Sequence, residues 1–306
     1  MTNSTDVQDL LDATLLGLAN GNVSFAMRNL AEKLSDAMQT SNHDEWKLIC
    51  ERTRSHPIHA VLLEDPYTRR AFEKPRGFAG DAVMLDFVYS KTPPPETSQL
   101  GKAIFAETTG HSNALSVLDR ARRIATMIDD LYDQRSRFSA LSVACGHMRE
   151  LEMTKRLRAD KVDLFLALDQ DVEALAVVNE IAPTYGVTAQ QLSVGKLIRQ
   201  NSGAPKYDLV YASGIFDYLK NDIAAALTDA LIRQLSPNGH LVIANYTPGN
   251  SGRAYMEAVM DWPLLYRDES ELRRLIPKTN GVSMLEVTIS NDEYKNIVYL
   301  EIKNSG

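Results

Sequence analysis

The chain has 306 residues, 44% hydrophobic and 24% charged, with 40 acidic against 33 basic side chains and a formal charge of −7. That balance excludes a disordered polyelectrolyte and a protein built to coat nucleic acid. Two cysteines, Cys50 and Cys145, exclude a disulfide framework. They suit a reducing compartment, so a cytoplasmic location is expected. No apolar run reaches the ~18 residues of a membrane span, and the polar, acidic start lacks the basic lead of a secretory signal.

Residues 1–135 read as helical. Val7, Leu10, Leu11, Thr14, Leu15 and Leu18 recur every three or four residues, which puts them on one helix face. Phe25, Met27, Leu30, Leu34, Ala37 and Met38 repeat the pattern, and Asn42 or His43 opens a third helix carrying Trp46, Ile49 and Cys50. Lys74-Pro75-Arg76-Gly77 stops the run. Asp81–Tyr89 reads as a short helix, and Thr92-Pro93-Pro94-Pro95 breaks the chain. Ser112 is placed to cap a long helix that turns Leu115, Leu118, Ala121, Ala125, Ile128 and Leu131 inward.

After residue 138 the rhythm changes. Short apolar runs at Ala140–Ala144, Leu164–Leu168, Leu209–Ala212 and Leu241–Asn245 alternate with amphipathic stretches at 148–158, 171–182 and 217–235. Strands alternating with helices predict βαβ units and a mainly parallel sheet. Val282–Ser290 and Ile297–Lys303, split by Asn291-Asp292-Glu293-Tyr294, predict a closing hairpin.

In such a sheet ligands bind beyond the carboxyl ends of the strands, near the reversal of strand order. Three strand ends carry suitable residues. Ala144-Cys145-Gly146-His147-Met148-Arg149 follows the first strand. Ala144 and Gly146 let a ligand approach the backbone, and Arg149 suits a carboxylate. Asp169, with Gln170 beside it, ends the second strand, where an acid accepts hydrogen bonds from both ribose hydroxyls. Asp171 reads instead as the cap of the next helix. Ser213-Gly214 ends the strand after Asp208, with Phe216, Asp217 and Tyr218 lining the cleft. The competing reading of each is structural: a plain strand-to-helix turn, a helix cap, a loop with core aromatics. The lone glycine fits a pyrophosphate poorly, since dinucleotide folds use G-x-G-x-x-G. S-adenosylmethionine has no phosphate and tolerates a looser loop.

The stretches LSVACGHMRELE, LFLALDQDVEAL, YDLVYASGIFDYL and LSPNGHLVIANYTP, in that order, resemble class I S-adenosylmethionine-dependent methyltransferases. KPRGFAGDAVMLDFVY and YMEAVMDWPLLYRDESEL narrow the resemblance to the bacterial extracellular-factor, or 3-hydroxypalmitate methyl ester, biosynthesis subgroup, over most of the chain. The resemblance implies a Rossmann-like α/β sheet of seven strands with a C-terminal antiparallel hairpin, at 136–306, behind an N-terminal helical cap at 1–135 that selects the substrate. It implies S-adenosyl-L-methionine as cofactor, held by Ala144, Cys145 and Gly146, by Asp169 at the ribose, and by Ser213 and Gly214. Met148 departs from the family's small residue, and 193–197 lacks the usual acid for adenine, leaving backbone groups at Val194 and Gly195 to serve.

The acceptor is expected to be a small molecule, with a carboxylic acid favoured. A carboxylate is ionised at neutral pH and needs no general base, so alignment and desolvation suffice. An amine or hydroxyl acceptor is the alternative, with His147, Asp217 or Tyr246 as base. A second alternative is a methyltransferase-like module without catalysis. Tyr246 follows the fifth strand, while Trp262, Tyr266 and Arg267 form an aromatic-rich group in which Tyr266 and Arg267 suit a carboxylate. The competing reading makes the aromatics core and Arg267 a solvated charge. Arg76, Gly77, Phe78 and Asp81 suit a closing lid, or else a turn with an Arg–Asp ion pair. The histidines show no metal spacing, so no metal is expected. Nucleic acid is not an expected partner, and self-association is left open.

Overall fold

The computed structural model describes residues 4–199, 205–277 and 285–306. They fall into two compact units, Met1–Val117 with Gly249–Pro263, and Leu118–Pro248 with Leu264–Gly306.

The first unit is helical. Helices Ser4–Ala19, Val23–Thr40 and His43–Ser55 bury the expected stripe of Leu11, Leu18, Leu30, Leu34 and Ala37. Phe25 departs from expectation at 72% exposed. It lies off the stripe that Ala26, Leu30, Leu34 and Ala37 describe at three- and four-residue steps. Asn42 closes a capping box with Glu45, whose side chain accepts from the Asn42 amide at 2.9 Å. Ser112 is the first residue of the helix Ser112–Gln134 rather than its cap, and His111 Nδ1 accepts from the Asn113 amide. Segment Gly249–Pro263 joins the unit through specific bonds. Trp46 Nε1 donates to Glu257 at 2.7 Å, Arg54 Nη1 donates to the Glu257 carbonyl at 2.9 Å, and Lys74 pairs with Asp261 at 2.7 Å.

Close packing makes one glycine there indispensable. A Cβ on Gly101, in helix Gln99–Gly110, would stand 2.4 Å from the Glu64 carbonyl oxygen, whereas one on Gly110 meets nothing within 4 Å. Gly101→Ala is therefore expected to cost about 1–3 kcal/mol. Gly110→Ala should be neutral or slightly stabilising, and urea denaturation of the pair reads the contrast.

Asp65 caps helix Pro66–Glu73 and is fully buried. Burial pushes its carboxyl up to about 6 against the hydrogen bonds it accepts. The folded chain thus binds a proton at pH 5 that the unfolded chain releases near 4. The contribution is present below pH 4 and is lost as pH rises through 6. Between pH 4 and pH 7 the native chain should lose about 3 kcal/mol more than Asp65→Asn. Parallel pH profiles in urea titrations would contradict this.

The second unit holds the sheet. Its strands are β1 (Phe138–Val143), β2 (Val162–Asp169), β3 (Val187–Gln191), β4 (Tyr207–Ala212), β5 (Leu235–Tyr246), β6 (Leu285–Asn291) and β7 (Ile297–Asn304). Their order is β3-β2-β1-β4-β5-β7-β6. Strands β1 to β5 pair in parallel, and β7 runs antiparallel to both β5 and β6. This is the expected Rossmann-like α/β sheet of seven strands with its closing antiparallel hairpin. The core on one face joins Leu141, Val143, Val210 and Ile243 to Leu227 and Leu231 of helix Asn221–Ile232.

Two local expectations are corrected, and a third is met as far as the described residues reach. The stretch 148–158 makes only the helix Glu150–Met153, because the Lys155 and Arg156 amides turn to the Asp129 carboxylate at 2.8 and 2.9 Å. Within 217–235, Asp217 and Tyr218 belong to a single 3₁₀ turn and the helix begins at Asn221. The sixth strand runs Leu285–Asn291, and residues 282–284 of the expected run lie outside the described residues. No described helix is long and apolar enough to cross a membrane.

Candidate functional site

Strand order reverses between β1 and β4, so their carboxyl ends open the crevice where this architecture binds ligands. The loop leaving β1 has an unusual backbone. Ala144, Gly146 and Met148 all adopt positive φ, at 53°, 56° and 51°. Left-handed backbone disfavours residues with a Cβ and persists where surrounding structure enforces it, often at ligand sites. Alternation of this kind turns successive amides toward one side. Two anchors hold the loop to β2: the Cys145 amide donates to the Leu168 carbonyl at 3.0 Å and the Gly146 amide to Asp169 Oδ2 at 2.9 Å. Met148, the departure from the family's small residue, is buried.

Asp169 is at once the end of β2 and the partner of that loop. Its Oδ1 accepts from the Asp171 amide at 2.9 Å, so both carboxylate oxygens are oriented by backbone. Asp171 caps helix Val172–Tyr185 through the Glu173 amide. Gln170 is exposed, and its carbonyl accepts from Gln191. Val194 and Gly195 begin the short helix Val194–Arg199, just past the Leu192 amide that bonds the Asp169 carbonyl at 2.9 Å. Cys145 keeps its proton, since burial and the Asp169 and Glu150 charges raise its thiol. Arg149 pairs with Glu152 at 2.6 Å within its own turn.

Beyond β4, Ser213 and Gly214 are half-buried, and Tyr218 reaches the surface at 37% exposure. Asp217 is buried, and its Oδ1 accepts from the Tyr246 amide at 2.7 Å and Asn245 Nδ2 at 2.9 Å. Burial pushes its carboxyl up to about 6, opposed by the Tyr246 amide and the Arg120 and Arg267 charges. Arg267 is 2% exposed. It donates through Nη1 to the Phe216 carbonyl at 2.7 Å and Asn245 Oδ1 at 2.6 Å, through Nε to Asn221 at 3.0 Å, and through Nη2 to the Leu219 carbonyl. Four of its five donors are thereby engaged inside the protein.

The structure thus gathers Tyr246, Arg267 and Asp217 at the carboxyl end of β5, where the Arg267 amide also donates to the Tyr246 carbonyl at 3.0 Å, and Tyr266 adjoins them in sequence. Trp262 belongs to the helical unit, where it is buried. Arg76, Gly77 and Phe78 lie in that unit too, on the segment between helices Pro66–Glu73 and Ala82–Ser90, with Gly77 at φ 88°. Asp81 ends the segment fully buried, caps the second helix through the Met84 amide and binds Arg70 Nε at 2.7 Å.

Sequence reasoning missed Arg120 and Glu150, and placed Asn245 only at the ligand edge where the fifth strand ends. Arg120 is buried, bears on Asp217 and Glu150, and has its Nη2 3.8 Å from where a Cβ on Gly214 would stand. Glu150 accepts from the Tyr211 hydroxyl at 2.8 Å, and burial raises both groups. Asn245 links Asp217 to Arg267. Only Asn245 carried a signal, its place at the end of a core strand. Among the described residues no group of three or more histidines, cysteines or acids is arranged to hold a metal.

No family model matches the chain. No curated protein matches it either. Among solved structures it is similar to a possible exported protein from Bordetella parapertussis, with 14% identity over 97% of each chain and a TM-score of 0.59. It is also similar to magnesium protoporphyrin IX methyltransferase from Synechocystis with bound S-adenosylhomocysteine, at 11% identity, 73% of this chain, 98% of that chain and a TM-score of 0.48. N-methyltransferase NodS from Bradyrhizobium japonicum gives 15%, 61%, 98% and 0.42. The first of these likenesses shows that the fold is shared along nearly the whole of both chains.

Proposed function

We propose that the chain is an S-adenosylmethionine-dependent methyltransferase of a small molecule, with a carboxylate oxygen as the favoured acceptor. In this it follows the extracellular-factor, or 3-hydroxypalmitate methyl ester, biosynthesis subgroup that its sequence resembles. The observation that carries the reading is the Asp169 carboxylate, aimed by the Gly146 and Asp171 amides at the carboxyl end of β2, beside a first loop with three left-handed residues. Each carboxylate oxygen keeps acceptor capacity beyond its one amide bond, which suits the two ribose hydroxyls. Ala144, Cys145, Gly146, Ser213 and Gly214 supply close backbone, Gln170, Val194 and Gly195 flank the adenine end, and buried Arg120 suits the anionic amino-acid end. When bound, the cofactor supplies a methyl group made electrophilic by its sulfonium.

The chain's own residues then bind, orient and exclude water. Tyr246 and Tyr266 wall the acceptor, and Arg267 fixes the turn that carries Phe216, Asp217 and Tyr218. The resemblance gives acceptor selection to the helical unit, with Arg76, Gly77, Phe78 and Trp262 as its candidate residues, and Asp81 holds the segment of the first three through Arg70. A second reading rests on Asp217. A buried carboxyl with a value of about 6 is tuned for general-base work, which favours a hydroxyl or amine acceptor.

Incubation with methyl-labelled cofactor and matched panels of long-chain acids, alcohols and amines tests both. The favoured reading predicts base-labile, extractable label with acids alone. Label only in alcohols or amines, abolished by Asp217→Asn, would replace it with the second reading. Cofactor binding without turnover on any panel would leave a binding module.

A further inference from the structure

The helical unit holds a half-open cavity of about 590 Å³ between helices Val23–Thr40 and Gln99–Gly110 and the segment Ser251–Met260. Every lining residue lies within that one unit. Its volume is that of a small-molecule pocket, for which the common range is about 300–1,000 Å³. The floor is soft and aromatic, made by Met27, Tyr67, Tyr255, Met256 and Met260, all buried. Thioethers adapt to irregular ligand shapes, and tyrosine faces attract cations.

The charges lining it are one-sided. Glu32, Asp36 and Glu107 face a single guanidinium, Arg28. Asp36 also meets Lys33 at 3.3 Å, an exposed pair of little strength. His111 contributes no cation at neutral pH, because burial lowers its pKa.

A further carboxylate stands behind the wall. Buried Asp65 accepts from the Tyr67 amide at 2.9 Å, the Thr68 amide at 3.2 Å, the Thr68 hydroxyl at 2.7 Å and the Thr108 hydroxyl at 2.9 Å. Tyr67 and Thr108 line the cavity, as does Tyr255, whose hydroxyl lies 3.2 Å from that of Thr68. All of these donors to Asp65 are neutral. Its charge is dispersed over dipoles rather than cancelled, which leaves the floor with negative potential.

We propose that this cavity binds a small organic cation, its apolar body on the methionine and tyrosine floor and its ammonium group toward Glu32 and Glu107. The site is independent of the methyl-transfer reading, since none of its residues belongs to the Asp169 loop. An anionic fatty chain fits it poorly, so it is distinct in chemistry from the carboxylic acid favoured as acceptor.

Calorimetric titration of the full chain with tryptamine and with indole-3-propionate, two indoles of nearly equal size and opposite charge, tests the proposal. Tryptamine is expected to bind saturably at one site, at least tenfold more tightly than the acid. Glu32→Gln with Glu107→Gln should weaken it tenfold or more, and Ala31→Trp, which fills the cavity, should abolish it. Should Ala31→Trp melt early and so prove misfolded, the exposed-rim variant decides. Equal affinity for the two indoles, no saturable tryptamine binding at millimolar concentration, or binding untouched by the rim variant would overturn the proposal. Titration of the same samples with S-adenosylhomocysteine reads the other site separately.

Discussion

Asp169→Ala is expected to weaken S-adenosylhomocysteine binding by on the order of 10²-fold. Two hydroxyl donors to one carboxylate, at about 1.5 kcal/mol or more each, give about 3 kcal/mol, and each 1.4 kcal/mol is tenfold. The substitution also releases the Gly146 and Asp171 amides, so the first loop loses one of its two anchors to β2 along with the proposed ribose acceptor. The neighbouring acid separates binding from folding. Asp171 caps a helix through the Glu173 amide, so Asp171→Ala should cost about 1 kcal/mol of stability while changing affinity only a few-fold. Equal affinities in native protein and Asp169→Ala, by calorimetry, would remove Asp169 from the cofactor site.

Arg267→Met should be among the most destabilising single changes in the sheet unit. The guanidinium is 2% exposed, holds two carbonyls of the turn after β4, and offsets the buried Asp217. Removing one partner of a buried charge pair costs about 3–5 kcal/mol, which lowers the melting temperature by on the order of 10 °C. Arg274, an exposed arginine on the same stretch, pairs with Glu271 at only 3.9 Å, and Arg274→Met should leave melting within about 1 °C. The outcome discriminates between roles. An arginine that only orients the acceptor predicts native melting with a raised KM. An arginine that builds the turn predicts early melting and loss of both kcat and cofactor affinity.

Arg267 and Arg120 also mark where sequence stops being legible. Asp169 was legible as the acid closing a core strand, 23 residues after Gly146, and Asp171 as the helix cap from its place before an amphipathic run, which the Glu173 amide bears out. Both signals are local. Arg267 sits in an aromatic-rich stretch that invites an acceptor role. Its partners Phe216, Asn221 and Asn245 lie 22 to 51 residues away, and only the folded sheet gathers them. Arg120 gives no signal at all, since an arginine on an amphipathic helix ordinarily reads as a solvated charge.

The fold shows the same division. The core strands announced themselves as apolar runs because they are covered on both faces. Strand β3, with sequence VTAQQ, did not, because it is an edge strand with only Val187 buried. The segment Gly249–Pro263 packs with the helices through Trp46, Arg54 and Lys74, from 187 to 211 residues earlier in the chain. No periodicity within the segment reports contacts of that range. The early end of the helix after β1 has a similar cause: the amides of Lys155 and Arg156 are claimed by Asp129 on another element.

The measurement closest to the central claim is calorimetric titration of the purified full chain with S-adenosylhomocysteine at neutral pH. The account predicts saturable binding at one site per chain, accompanied by a rise in melting temperature that grows with ligand concentration. Absence of heat and of any melting shift at millimolar ligand, in protein whose melting curve is cooperative, would contradict it.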